Sequence, residues 1–137
     1  IYLGAGGTPN LNGVTYNTQQ PSLPFGATHH VRWRADNGYT GAMDTDSSDW
    51  YDAGWDFTDD VYQSGEYVEM RIPLGDITAT STVRVHMSMI REEPFNEWSW
   101  SGVPSSSFAD GYDPDYSAYY EFDLTAPDTP ASATPIL

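Results

Sequence analysis

From Tyr67 to Ile72 the chain alternates: Val68, Met70 and Ile72 would face one way, Tyr67, Glu69 and Arg71 the other. Successive Cβ atoms of a strand point to opposite faces, so a period of two marks a half-buried β-strand. Pro73 has no N–H to donate and suits the end of such a strand. Leu74-Gly75-Asp76-Ile77 then supplies turn residues, and a second alternating run opens at Thr82. In it Val83, Val85, Met87 and Met89 share one face, and Arg84, His86 and Ser88 share the other. The two runs read as adjacent strands with matched inward faces, around which the remainder is arranged.

The rest of the chain continues the pattern in short pieces. Ile1-Tyr2-Leu3 reads as the end of a strand entered partway, as in a mature product or a fragment of a longer chain. Gly4 to Gly13 is dense in turn formers, Val14 to Tyr16 is a short strand, and Pro21 and Pro24 bracket an irregular connection. Thr28 to Arg34 alternates, with His30, Arg32 and Arg34 opposite His29, Val31 and Trp33. Asp36-Asn37-Gly38-Tyr39 is a tight-turn signal, because Asn and Gly tolerate positive φ. Asp44 to Asp49 is an acidic loop, Trp50 to Phe57 an aromatic strand, and Ser64-Gly65 a turn. After the polar, aromatic stretch Arg91 to Trp100 come a loop over Val103 to Pro114 and a last strand, Tyr119 to Leu124, with Tyr120, Phe122 and Leu124 inward.

No segment carries a sustained apolar period of 3.6. Short strands separated by turn clusters predict an all-β fold, an antiparallel β-sandwich of jelly-roll or immunoglobulin-like two-sheet architecture. Residues 1–125 form that module, and the Pro/Thr/Ala-rich stretch 126–137 reads as a linker or tail.

At 137 residues the chain is one domain, large enough to bury a core without staples. It has no cysteine, hence neither disulfides nor a thiolate site. Twenty acidic residues stand against five basic ones, all arginine, for a net charge of −15. That field repels phosphate backbones and anionic headgroups, so nucleic acid is excluded as a partner; a neutral ligand, a divalent cation or a salty extracellular medium suits it. No run reaches the ~18 apolar residues of a membrane helix, and no basic-then-apolar leader opens the sequence.

The order of the pieces carries a resemblance. An Asp/Gly-rich loop, a Trp-containing strand, Glu66-Tyr-Val-Glu-Met-Arg-Ile-Pro-Leu-Gly-Asp-Ile77 and then Val83-Arg-Val-His-Met-Ser-Met-Ile90 resemble the DOMON-like and family-nine carbohydrate-binding-module β-sandwiches of secreted bacterial proteins. The likeness spans roughly residues 28–124, and Thr40 to Asp46 matches their Asp/Thr/Gly loop only loosely. Such domains usually open with a segment upstream of Ile1. The resemblance implies a secreted, noncatalytic module that binds sugars or, in some relatives, haem.

Trp50, Tyr51, Trp55, Trp98 and Trp100 are the candidate ligand-binding residues, since flat aromatic faces stack on the apolar faces of pyranose rings. Aromatics are equally the largest suppliers of core area. Trp98 and Trp100 are the better surface pair, because their flanks are polar and broken by proline, and an extended backbone would put both rings on one side. Asp44, Asp46 and Asp49 offer oxygen ligands to Ca²⁺, and Asp113 and Asp115, with Asp110, form a second cluster. The alternative is that these are solvated turns in which Asp caps its own backbone. The glycine and distal Glu of a helix–loop–helix calcium site are missing. His29 and His30 would point to opposite faces, His86 is alone, and Met87 and Met89 read as core filler, which leaves haem little to bind. No nucleophile turn and no phosphate-cradling loop is present, and carboxylate pairs among twenty acids carry no information, so no enzyme is expected.

Two functions remain. One is an extracellular carbohydrate-binding module for a polysaccharide or cell-surface glycan, braced by Ca²⁺. The other is a structural subunit of a filament, sheath or surface layer, a homo-oligomer or a neighbour of further domains, assembled by strand pairing through Ile1–Leu3 or Ile136-Leu137.

Overall fold

The computed structural model describes residues 1–16, 18–93, 96–105 and 112–126. The expected tail at 126–137 falls, apart from Ala126, outside these residues, as do Asp110 and the Ile136-Leu137 pairing. Among the described residues the regular structure is β1 (Tyr2–Gly4), β2 (Asn10–Asn12), β3 (Ser22–Ala27), β4 (His29–Trp33), β5 (Thr40–Thr45), β6 (Trp50–Asp52), β7 (Val61–Ser64), β8 (Tyr67–Met70), β9 (Thr82–Glu93), β10 (Asn96–Val103) and β11 (Tyr120–Asp123), with one short 3-10 turn at Thr58–Asp60. The protein is an antiparallel all-β sandwich, and its layers are unequal. A seven-stranded sheet runs β10-β9-β1-β4-β5-β6, with β11 also paired to β9, while β2-β3 and β7-β8 are two-stranded.

Both faces of the central sheet are covered, which follows from its register. Tyr2 stands opposite His30 on one side and His86 on the other, so these three share a face. On it Tyr2 and Trp50 pack with Val14, Leu23, Phe25, Ala27 and Tyr116. Leu3 stands opposite His29 and Val85, on the reverse face. There Leu3, Val31, Ala42 and Val83 meet Phe57 and Ile77, with Met70 and Ile72 packed against them. A strand buried on both sides does not need polar residues on alternate positions, and β4 accordingly buries His29, His30 and Val31 in succession.

The tight turns lie where the sequence places them. Gly38 (φ 70°) closes the β4–β5 hairpin and Gly65 (φ 60°) the β7–β8 hairpin, both in the left-handed region that glycine enters without steric cost.

Several expectations are corrected. The alternating runs 67–72 and 82–89 are not neighbours in a sheet: β8 pairs with β7, and β9 with β1, β10 and β11. They meet face to face, Met70 and Ile72 lying in the same cluster as Val83 and Val85. The supposed polar face of β9 buries His86 completely, while Met87 and Met89 are exposed. The reason is length. Twelve residues at about 3.3 Å each reach ~40 Å, and β9 runs past the cluster that covers Val83 and Val85, so that face is open at Met87 and Met89, where the strand forms an arm with β10. Val14 to Tyr16 is not a strand, and the aromatic strand from Trp50 stops at Asp52.

Candidate functional site

The five aromatic candidates separate by burial. Trp50 belongs to the core, its indole N–H donating to the Asn12 carbonyl at 2.9 Å and its ring set edge-on to Tyr2 and His30. It cannot serve as an exposed platform. Trp55 is half-buried between His29 and Phe57. Tyr51 is exposed on β6. Trp98 and Trp100 lie at the surface, 43% and 63% exposed.

The two surface indoles sit on β10, where pairing with β9 slips between Ser99 and Ser101. Trp98 stands opposite Arg91, Ser99 opposite Ile90, and Ser101 opposite Met89, so Trp100 is the extra residue of a bulge. A bulge re-aims the side chain it carries, which interrupts the simple sharing of one side expected for positions 98 and 100. The strand beneath them is well anchored. Buried Ser99 and Tyr116 join hydroxyls at 2.6 Å, and the segment carrying Tyr116 is stitched to the start of β3 by Ser22 N–H to the Pro114 carbonyl and Tyr116 N–H to the Ser22 carbonyl, both 3.0 Å. The same segment brings Tyr112 against Trp98, ring centroids 6.0 Å apart and tilted 57°, and the Tyr112 hydroxyl is hydrogen-bonded to Thr18. Tyr112 was not among the sequence candidates. No local signal ties it to a residue fourteen positions earlier; only the folding of the 112–116 segment over β10 does.

A second exposed aromatic pair also escapes the sequence reading. Tyr62 stands opposite Glu69 and Tyr67 opposite Ser64, which places both phenols on the outer side of the β7–β8 hairpin. Their places flanking the Gly65-Glu66 turn, Tyr62 three residues before it and Tyr67 directly after it, were the available signal.

The acidic candidates are engaged within the protein. Asp44 pairs with His29 at 2.6 Å, and the other His29 nitrogen faces the carbonyls of Ile77 (3.1 Å) and Gly6 (3.2 Å). One Asp46 oxygen accepts from the Ser48 hydroxyl (2.8 Å) and from the Ser48 and Asp49 amides (3.1 Å each). These donors, the Ser48 hydroxyl first, hold its carboxyl below the usual range. Asp49 accepts from the Trp50 amide at 2.8 Å, and Asp113 from the Gln20 amide at 2.9 Å. Asp115 forms an isolated bridge with Ser22. For Asp46 and Asp49 this is the capping chemistry of turns, whereas Asp44 and Asp113 tie down residues distant in sequence. Among the described residues no three His, Asp or Glu side chains gather as a metal site.

No family model, curated protein or solved structure matches this chain. Among the described residues, no helix is long and apolar enough to cross a membrane.

Proposed function

We propose that this chain is a noncatalytic, extracellular carbohydrate-binding module whose platform is Trp98 and Trp100 with Tyr112. One observation carries the reading: two indoles stay substantially exposed on a strand whose intervening Ser99 is buried and anchored. Rigid aromatic faces held this way offer stacking area at little ordering cost, and Thr18 and the Tyr112 hydroxyl supply polar partners beside them. A net charge of −15 favours a neutral polymer over an anionic one. The test is binding to a panel of neutral polysaccharides by affinity electrophoresis and calorimetry. Trp98→Ala and Trp100→Ala should each weaken binding about fivefold, from ~1 kcal/mol of lost stacking. Retention of full affinity in the double variant would reject the platform.

A second reading has its own observation. The β9–β10 arm carries Met87, Met89 and Val103 on one face, with Val103 opposite Met87 and all three exposed. Exposed apolar side chains on a paired arm suit a subunit contact in an extracellular assembly. Light scattering decides it: a monomer across the accessible concentration range would reject self-assembly, and particles dispersed by Met89→Glu would support it.

A further inference from the structure

A trench of about 300 Å³ lies away from the tryptophans, between the Gly4–Pro9 loop, the end of β3 and the start of β9. Its setting is unusual for a chain so acidic: the residues lining it include no Asp or Glu, and their one charged side chain is Arg84. Gly4, Gly6, Gly7 and Gly26 line it without side chains, which keeps that wall low. Opposite them are three consecutive hydroxyl residues, Thr80, Ser81 and Thr82. None of these hydroxyls makes a hydrogen bond among the described residues. Arg84 is held in place by Glu121 (Nε to Oε2, 2.8 Å) over the Tyr119 ring, 5.9 Å from its centroid.

The walls are rigidly set. Gly6 approaches Thr78 so closely that a Cβ there would collide with it. Buried Thr28 accepts from the Ala5 amide at 3.0 Å and donates to the Leu3 carbonyl at 3.3 Å. The volume matches the lower end of small-ligand sites. Glu121 already neutralises Arg84, and the field of the whole protein expels anions. A lining of hydroxyls and a guanidinium suits a neutral ligand that is itself rich in hydroxyls.

We infer that this trench is a second subsite, which takes one pyranose unit of a neutral glycan by hydrogen bonding rather than by stacking. It rests on the sugar-binding reading for its ligand class but not for its place. Arg84 precedes Arg91, the partner of Trp98, by seven residues on β9, or about 23 Å of extended strand.

The test is an amide ¹H–¹⁵N titration of the full chain with glucose, galactose, xylose, N-acetylglucosamine and, separately, inorganic phosphate. At least one neutral sugar should shift the amides of Gly4, Gly6, Gly7 and Thr80–Thr82 saturably in the millimolar range. Thr80→Trp or Ser81→Trp, each at an exposed position beside the trench, should weaken those shifts at least tenfold while leaving the remaining spectrum folded. Trp98→Ala should leave them unchanged. Sugar-induced shifts confined to residues 98–103 would overturn the trench and spare the platform. Absence of any sugar response would overturn both, and shifts in the trench with phosphate alone would make it an anion site and overturn this assignment.

Discussion

The His86 imidazole lies against the Tyr116 phenol, centroids 4.2 Å apart and planes 34° apart, while its Nδ1–H donates to the Ala118 carbonyl at 2.8 Å. The opposite nitrogen, Nε2, is buried without a partner among the described residues. Burial pushes this imidazole down to about 4, and His30, across Tyr2 on the same face, well below its ordinary value for the same reason. Both histidines are therefore neutral in the fold and bind a proton on unfolding below about pH 6.5.

The histidines' contribution to stability should accordingly be complete well above pH 6.5 and fall as the pH drops towards 4, because their unfolded forms bind more protons throughout that window. His86 alone contributes a loss of about 3 kcal/mol by pH 4, at 1.36 kcal/mol per unit. Denaturant midpoints between pH 5 and 7, where most carboxylates are already ionised, read the effect, to which the Ile1 amine, pushed down to about 5 by burial, adds a slope of the same sign. His86→Gln should flatten the slope. An unchanged slope in that variant would show that His86 is not the titrating group.

The tryptophans should part company in stability. Trp50→Ala removes a buried ring and a hydrogen bond to Asn12 and should cost about 3–5 kcal/mol. Trp100→Ala, at an exposed bulge, should stay within about 0.5 kcal/mol. Urea unfolding of the two variants checks this directly, and equal losses would contradict the burial assigned to them.

His29 ties three segments together: Asp44 on β5, Gly6 in the first loop and Ile77 in the turn before β9. Its ring is buried, and removing one partner of such a pair strands the other. His29→Leu should destabilise by about 3 kcal/mol and speed amide exchange in the Gly4–Gly7 and Leu74–Ala79 segments ahead of the rest. Uniform acceleration across the chain would contradict a local clasp.

Asp46 closes its turn with its own neighbours. Asp46→Ala should lower the melting temperature by the same amount with calcium as with a chelator, since the lost contacts are the Ser48 and Asp49 donors. A loss seen only in calcium would instead make the loop a metal site.

Gly4 lies against Phe25. A Cβ there would fall 2.8 Å from Phe25 Cδ2 and 3.0 Å from the Gly26 carbonyl oxygen. Gly4→Ala should cost about 1–3 kcal/mol by overpacking, readable in the denaturation midpoint; a neutral result would mean that the two layers are less closely apposed than this.

The sequence by itself determined what depends on neighbours along the chain. Alternation marked β8, β9 and β4, and Asn37-Gly38 and Gly65 marked the hairpin turns, because covalent geometry sets side-chain direction and accessible φ locally. Which strands pair, and what covers each face, was decided only in three dimensions. Trp50 and Trp100 look alike in one dimension; Tyr2 and His30 close over the first, and a bulge on an anchored strand carries the second outward. His86 reads as a polar-face residue until the 116–118 segment lies over it. Tyr112 reaches Trp98 only through that segment's contacts with β3 and β10. Burial is a sum over contacts distant in sequence, and a period of two says which residues share a face but not whether that face meets water.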